Sequence, residues 1–278
     1  MTAAARIIIR CLFLLALALP VEAAEAENAF RNAVKLQRAG KHKEAVAAYD
    51  LAIKANPKSA EAYIGRGSAL AKMAMHEHAL KDYDDALRLN PNLADAYYLR
   101  GNSHNEMKQY DEAVKNYDEA LRRNPKFADA YFNRGVAFYR LGQLEKSLQD
   151  FNQAQQLNPK DPEIYAQRGL AQRRLGNPER AVADYSEAIK LNPKNPETYN
   201  NRANAYSLLG KYDEAVKDYD EAIKLDSKNA RIYANRGAIK LRQRKTAEAR
   251  KDLQKAMDLD PSLKTKLEPL MTLDAPQR

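Results

Sequence analysis

The chain has 278 residues, 45% of them hydrophobic and 30% charged, with a formal net charge of +9, one cysteine and four histidines. That composition excludes a disordered polyelectrolyte, and a single thiol excludes a disulfide framework or a thiolate metal centre. The basic excess does not point to nucleic acid, because opposite signs alternate at helical spacing, as in Asp213 and Glu214 before Lys217 or Asp220 before Lys224, the pattern of a solvated helix face.

Residues 1–23 stand apart from the rest of the chain. Arg6 and Arg10 precede an apolar run, Cys11 to Leu19, which is followed by Pro20 and the small-residue ending Val21-Glu22-Ala23. This is the three-part layout of a secretory signal, with cleavage expected after Ala23. The run is short for a membrane span, and an uncleaved anchor starting at Ile7 is the alternative, the only case in which a membrane enters the reading. Cys11 follows Ile9-Arg10 rather than small residues, unlike a lipoprotein attachment site, so the exported chain is expected to hold no cysteine. Loss of Arg6, Arg10 and Glu22 takes the charge from +9 to +8. Export to a bacterial periplasm is the expectation, with secretion or signal-anchored placement as alternatives.

From Ala26 onward one pattern returns every 34 residues. Pro57, Pro91, Pro125, Pro159, Pro193 and Pro261 close successive units, with Ser227 at the one missing place. The units are 26–59, 60–93, 94–127, 128–161, 162–195, 196–229 and 230–263. Such a period predicts an all-α solenoid. Within each unit the fourth position is aromatic from Tyr63 to Tyr233, and the eighth is small, from Ala33 and Gly67 to Gly237. The twentieth is alanine or Ser147, the twenty-seventh is always alanine, and the twenty-fourth is a ring (Tyr49, Tyr83, Tyr117, Phe151, Tyr185, Tyr219) in six units. Small positions facing a ring predict two closely approaching helices, A and B. Breaks such as Leu141-Gly142-Gln143 and Leu209-Gly210-Lys211 separate them. Asn177-Pro178 reads as a cap followed by proline in the first turn, and Asn-Pro pairs end helix B.

Two further columns run together. The seventh position is Arg66, Arg100, Arg134, Arg168, Arg202 and Arg236, and the twenty-third is Asp82, Asn116, Asp150, Asp184, Asp218 and Asp252. The first unit lacks both, having Asn32 and Ala48. Joint loss predicts a repeated pair, for which the planar arginine fork is suited; a basic row gripping phosphate or carboxylate is the alternative. After the last unit, Leu263, Leu267 and Leu270 recur at helical spacing around Pro269, so residues 264–278 are expected to form a short cap with a tail frayed from about Asp274.

No pattern for catalysis emerges. His76 and His78, two apart, point to different sides of a helix, and no glycine-rich phosphate loop, nucleophile elbow or metal-binding histidine motif is present. No metal, cofactor or enzymatic activity is expected.

The small, aromatic and proline columns across residues 26–263 resemble the tetratricopeptide repeat family. The resemblance implies a right-handed superhelical solenoid of seven helical hairpins with a short C-terminal cap, whose concave wall is lined by helix A. It implies a non-catalytic scaffold that binds an extended segment of another protein, here in the cell envelope. Groove positions carried over from the family are the second, fifth, sixth, ninth, twelfth and thirteenth. They select Tyr98 and Phe132 as apolar anchors and Asn133, Asn201, Asn235, Asn102 and Asn204 as amides able to hold a peptide backbone. They also select Tyr139, Arg140, Arg173 and Arg174, a partly basic row suited to acidic peptides or an anionic glycan. The family's carboxylate clamp needs bases at the second position, where this chain has Glu27, Glu61, Asp95, Asp129, Glu163 and Glu197, with only Arg231 basic, so the clamp is not expected. A substrate-recruiting or regulatory subunit of an envelope enzyme, and a binder of cell-wall glycan or lipid headgroups, are the alternative functions. No residue pattern names the partner or an oligomeric state.

Overall fold

A computed structural model describes residues 23–272. The expected signal segment, up to residue 22, and the expected frayed tail lie outside the described residues. Residues 23–38 form α1. It is followed by α2 (His42–Ala55), α3 (Ala60–Lys72), α4 (His76–Leu89), α5 (Ala94–Glu106), α6 (Tyr110–Arg123), α7 (Ala128–Arg140), α8 (Leu144–Leu157), α9 (Pro162–Arg174) and α10 (Pro178–Leu191). The remainder are α11 (Pro196–Leu208), α12 (Tyr212–Leu225), α13 (Ala230–Arg242), α14 (Thr246–Leu259), a 3-10 turn over Pro261–Leu263, and α15 (Lys264–Met271). No strand occurs among the described residues.

The contacts divide the chain within α7, into one unit ending at Ala137 and another beginning at Phe138. The first holds the hairpins α1/α2, α3/α4 and α5/α6, and the second holds α9/α10, α11/α12 and α13/α14. In each, the twentieth and twenty-seventh positions are buried alanines, such as Ala113 and Ala120 or Ala181 and Ala188. Between them lies the buried side chain of the twenty-fourth position, a ring in every one of these hairpins except α13/α14, where it is Leu253. The eighth position is small because the ring leaves no room: a Cβ on Gly101 would lie 2.7 Å from the Tyr117 ring, and one on Gly169 2.8 Å from Tyr185. Tight packing of this kind makes a single added methyl costly.

The turn between helices A and B is the same throughout. Its second residue is left-handed, with φ between +71° and +87° at Gly40, Gly142, Gly176 and Gly210. The next backbone N–H then donates to a carbonyl five residues back, as Lys41 does to Leu36 and Lys211 to Tyr206. Ala74, Lys108 and Arg244 take the same conformation (φ 59–63°) without being glycine. Helix B ends on an extended Asn or Asp whose side chain accepts the N–H two residues on, for example Lys58 to Asn56 and Lys126 to Asn124.

One expected cap is not formed. Asn177 makes no side-chain bond to the first turn of α10; its Nδ2 donates instead to Gln172 Oε1 at 3.1 Å. Its backbone is engaged in closing the preceding turn, which turns the amide back toward α9. At the start of the A helices the caps do form, as Asn195 accepts from Glu197 and Thr198.

The last hairpin is covered. Leu267 of α15 is buried against Leu253, Ala256 and Met257, with Leu263 and Leu270 beside it. Arg250 Nε donates to the Met271 carbonyl at 2.8 Å, tying the end of α15 to α14. No helix among the described residues is long and apolar enough to cross a membrane.

Candidate functional site

The arginine column is turned inward. Arg66 donates through Nε and Nη2 to both oxygens of Asp82 (3.0 and 2.6 Å) and through Nη1 to Asp50 (2.6 Å). Asp82 is the twenty-third residue of its own hairpin, and Asp50 is the twenty-fifth of the preceding one. The same double grip recurs for Arg100 with Asn116 and Asp84, Arg168 with Asp184 and Asn152, Arg202 with Asp218 and Ser186, and Arg236 with Asp252 and Asp220. Each guanidinium also lies 5.2–5.8 Å from the ring of its fourth-position tyrosine. One side chain therefore locks a hairpin internally and bolts it to its predecessor. The twenty-fifth column, Asp50, Asp84, Asn152, Ser186 and Asp220, is the half of this arrangement that sequence reasoning missed. Its signal was a short acceptor sixteen residues before every arginine.

Burial sets the electrostatics of the pair. The Asp82 bond holds the Arg66 guanidinium above its ordinary pKa. Burial pushes the Asp184 carboxyl up, against the opposing pull of Arg168. Removing water from the acid outweighs the attraction here, as expected for a desolvated pair.

With these arginines engaged, the remaining groove residues divide between the two units. In the first, Asn133 Nδ2 donates to Tyr98 Oη (3.0 Å) and to Asn102 Oδ1 (2.9 Å), which also accepts from Tyr117 Oη (2.8 Å). The Tyr98 ring lies 4.7 Å from Phe127 and 6.1 Å from Tyr117. Burial raises the Tyr98 phenol above its ordinary pKa, with the Asn102 and Asn133 amides opposing. Phe132 is half-buried on α7.

In the second unit, Tyr219 Oη donates to Asn204 (2.7 Å), and Asn235 Nδ2 donates to Asn200 (3.0 Å). Arg174 lies over the Tyr139 ring at 5.2 Å and donates to the Tyr139 carbonyl. Arg140 is exposed, and Arg173 is half-buried with a shielded Nε that makes no hydrogen bond of normal geometry.

The asparagines thus differ from the expected open row. Asn102 and Asn204 satisfy tyrosine hydroxyls carried inward by buried rings, which a polar group must do. Asn133 and Asn235 join the fifth residue of the preceding A helix. Their oxygens, and the whole amide of Asn201, make no hydrogen bond among the described residues.

An opening of about 500 Å³ lies in the first unit, lined by Tyr83, Ser103, Asn105, His76, Asn102 and Asn133 among others. Apart from the two asparagines, sequence reasoning gave these residues no binding role, Tyr83 having been counted only as a packing ring and His76 set aside as a metal ligand. No group of three His, Cys, Asp or Glu side chains among the described residues is placed to hold a metal ion.

Family models described as tetratricopeptide repeat match residues 30–73 and 101–162, 60–93 and 196–229, 82–115, and 230–263, and one described as TPR repeat matches 173–210. Together they span 30–162 and 173–263. No curated protein matches the chain. Among solved structures it is similar to YrrB, a TPR protein with an unusual peptide-binding site, at 27% identity over 64% of this chain and 92% of that one, with a TM-score of 0.57. A tetratricopeptide repeat protein from Parabacteroides merdae shares 22% identity over 90% of this chain and all of that one, with a TM-score of 0.66. The C-terminal part of a TPR repeat-containing protein from Cytophaga hutchinsonii shares 19% over 87% and 99%, with a TM-score of 0.71. At those last two identities the likeness is one of fold.

Proposed function

The chain belongs to the tetratricopeptide repeat family, whose members are protein–protein interaction scaffolds, and from that premise we propose that it is a non-catalytic adaptor of the bacterial cell envelope binding an extended segment of another protein. The observation that carries this reading is the inward commitment of the seventh-position arginines. With those arginines tied within the array, the A-helix groove positions of the first unit include the amide and aromatic side chains Tyr98, Phe132 and Asn133. Side chains of this kind suit a peptide, whose backbone both donates and accepts and whose apolar groups need a ring. The peptide-binding site of YrrB supports the ligand class. Export rests on the Arg6 to Ala23 layout alone, and intact mass of the protein from its native envelope tests it: a chain beginning near Ala24 is expected, and a retained leader means an anchor.

A second reading has its own support. Arg140, Arg173 and Arg174 form no ion pair with an acid among the described residues, and the shielded Arg173 Nε makes no hydrogen bond of normal geometry. Acidic residues of the bound segment, or an anionic polymer, would complement them.

Crosslinking in the native envelope captures the partner, and titration against variants then separates the readings. Phe132→Ala is expected to weaken binding at least tenfold, as loss of an aromatic anchor commonly does. Asn201→Ala, which breaks no internal bond, is expected to lower affinity for many sequences alike. Full affinity in both, with loss only on neutralising Arg140, Arg173 and Arg174 together, replaces the peptide reading with the polymer one.

A further inference from the structure

The opening in the first unit has a polar floor that the protein itself leaves unsatisfied. Tyr83 and Ser103 are 0% and 2% exposed, and their hydroxyls, close enough to each other to interact, make no hydrogen bond of normal geometry. Asn105 Oδ1 and His76 Nδ1 likewise make none. All four residues line the same space of about 500 Å³.

Three other hairpins settle the corresponding phenol internally, Tyr49 donating to Gln37, Tyr117 to Asn102 and Tyr219 to Asn204, while Tyr185 shares the unpartnered state of Tyr83. For Tyr83 the ninth-position side chain is Ser68, which accepts from Gln37 of the preceding hairpin. Burial raises the Tyr83 phenol, so it stays a neutral donor, and the nearby Ser103 hydroxyl only partly opposes that rise. A buried hydroxyl without a partner is costly, and a guest able to pair with it removes the cost.

The lining also selects the guest. Lys72 and Glu106 carry opposite charges, which favours a neutral group. Hydroxyls can donate to a carbonyl, while Asn105 Oδ1 can only accept. A carboxamide offers both a carbonyl and an NH₂. A carboxylate offers acceptors alone, and would set them against Asn105 Oδ1 and Glu106. Ala71 and Leu99 supply apolar wall for a methylene stem.

We propose that this pocket receives the side-chain carboxamide of a glutamine or asparagine in the segment bound along the first unit. The proposal rests on reading that unit as a peptide-binding wall. The test titrates the full chain, by amide NMR, with N-acetyl-glutamine N-methylamide and with its glutamate counterpart. Saturable shifts at Ser103 and Asn105 are expected with the glutamine probe, and at least fivefold weaker binding with glutamate. Tyr83→Phe is expected to weaken the glutamine probe at least fivefold without lowering the melting temperature, and Ser103→Ala to weaken it likewise. Absence of saturable shifts, equal affinity for both probes, or undiminished binding by Tyr83→Phe overturns the proposal. The probe has no side chain for Tyr98 or Phe132 to hold, so it reports on the pocket alone. A bound probe with a partner indifferent to Phe132→Ala sinks the groove reading, whereas a silent probe with a partner that needs Phe132 sinks only the pocket.

Discussion

The first hairpin, α1/α2, and the hairpin α9/α10 are built on the same spacing but held differently. In α9/α10, Arg168 grips Asp184 of its own hairpin and Asn152 of the one before. In α1/α2 the corresponding residues are Asn32 and Ala48, and Ala29 replaces the aromatic fourth position. What the first hairpin retains is Asp50, which serves Arg66 of the next. Among the described residues no earlier hairpin would supply an arginine at the first seventh position with its second acceptor. The column is therefore a device for joining neighbours: α1/α2 keeps only the half that faces the hairpin after it.

The largest expected effect breaks the pair where it is complete. Asp184→Ala leaves Arg168 partly buried and facing no acid, and is expected to destabilise the array by about 3–5 kcal/mol if desolvation is full, scaled down by the residual exposure of Arg168. Exposed Asp213→Ala is expected to change the denaturation midpoint little, and equal effects would return the arginines to ligand binding. Conversely, Ala48→Asp alone should destabilise the first hairpin, and adding Asn32→Arg should recover part of that loss.

Packing gives the next contrast. Ala188→Leu is expected to cost about 1–3 kcal/mol by overpacking against the Tyr185 layer. Ala52→Leu, at the same register in α2 but lining an opening of about 460 Å³, is expected to cost less. Thermal melts that rank the two the other way would break the comparison.

The turn is what both hairpins share, with Gly40 and Gly176 left-handed. Where Lys108 takes that conformation, Lys108→Gly relieves a strain of roughly 1–2 kcal/mol, less the greater entropy of glycine in the unfolded chain. A net gain of under about 1 kcal/mol is expected, read as a raised melting temperature.

The smallest effect tests the electrostatic cause. Asp184→Asn should be nearly neutral, since Asn116 already fills that position and bonds Arg100 at 2.7 Å. A carboxyl whose pKa is raised on folding holds its proton more tightly in the folded state, so its contribution improves as pH falls through that range. The wild type should therefore gain stability relative to Asp184→Asn on acidification toward pH 4. A relative loss would mean that the Arg168 attraction, not burial, dominates.

The hairpins and their punctuation were legible because they depend on local spacing. A small residue one turn after an aromatic, an invariant alanine, and Asn-Pro at a period of 34 fix which helix faces meet, whatever lies further along the chain. The arginine–aspartate column was legible for a related reason: the first unit loses both members together, and a paired loss implies contact. Which second acceptor each arginine takes was decided by the stacking of successive hairpins, which brings the twenty-fifth position of one beside the seventh of the next. The asparagines show the same boundary. Their spacing placed them on the A helices, but a side-chain amide bonds whatever stands within about 3 Å. Only the packed structure sets the Tyr117 hydroxyl against Asn102 and leaves that of Tyr83 facing an open pocket, because the inward reach of a buried ring is fixed by tertiary contacts and not by its place in the repeat.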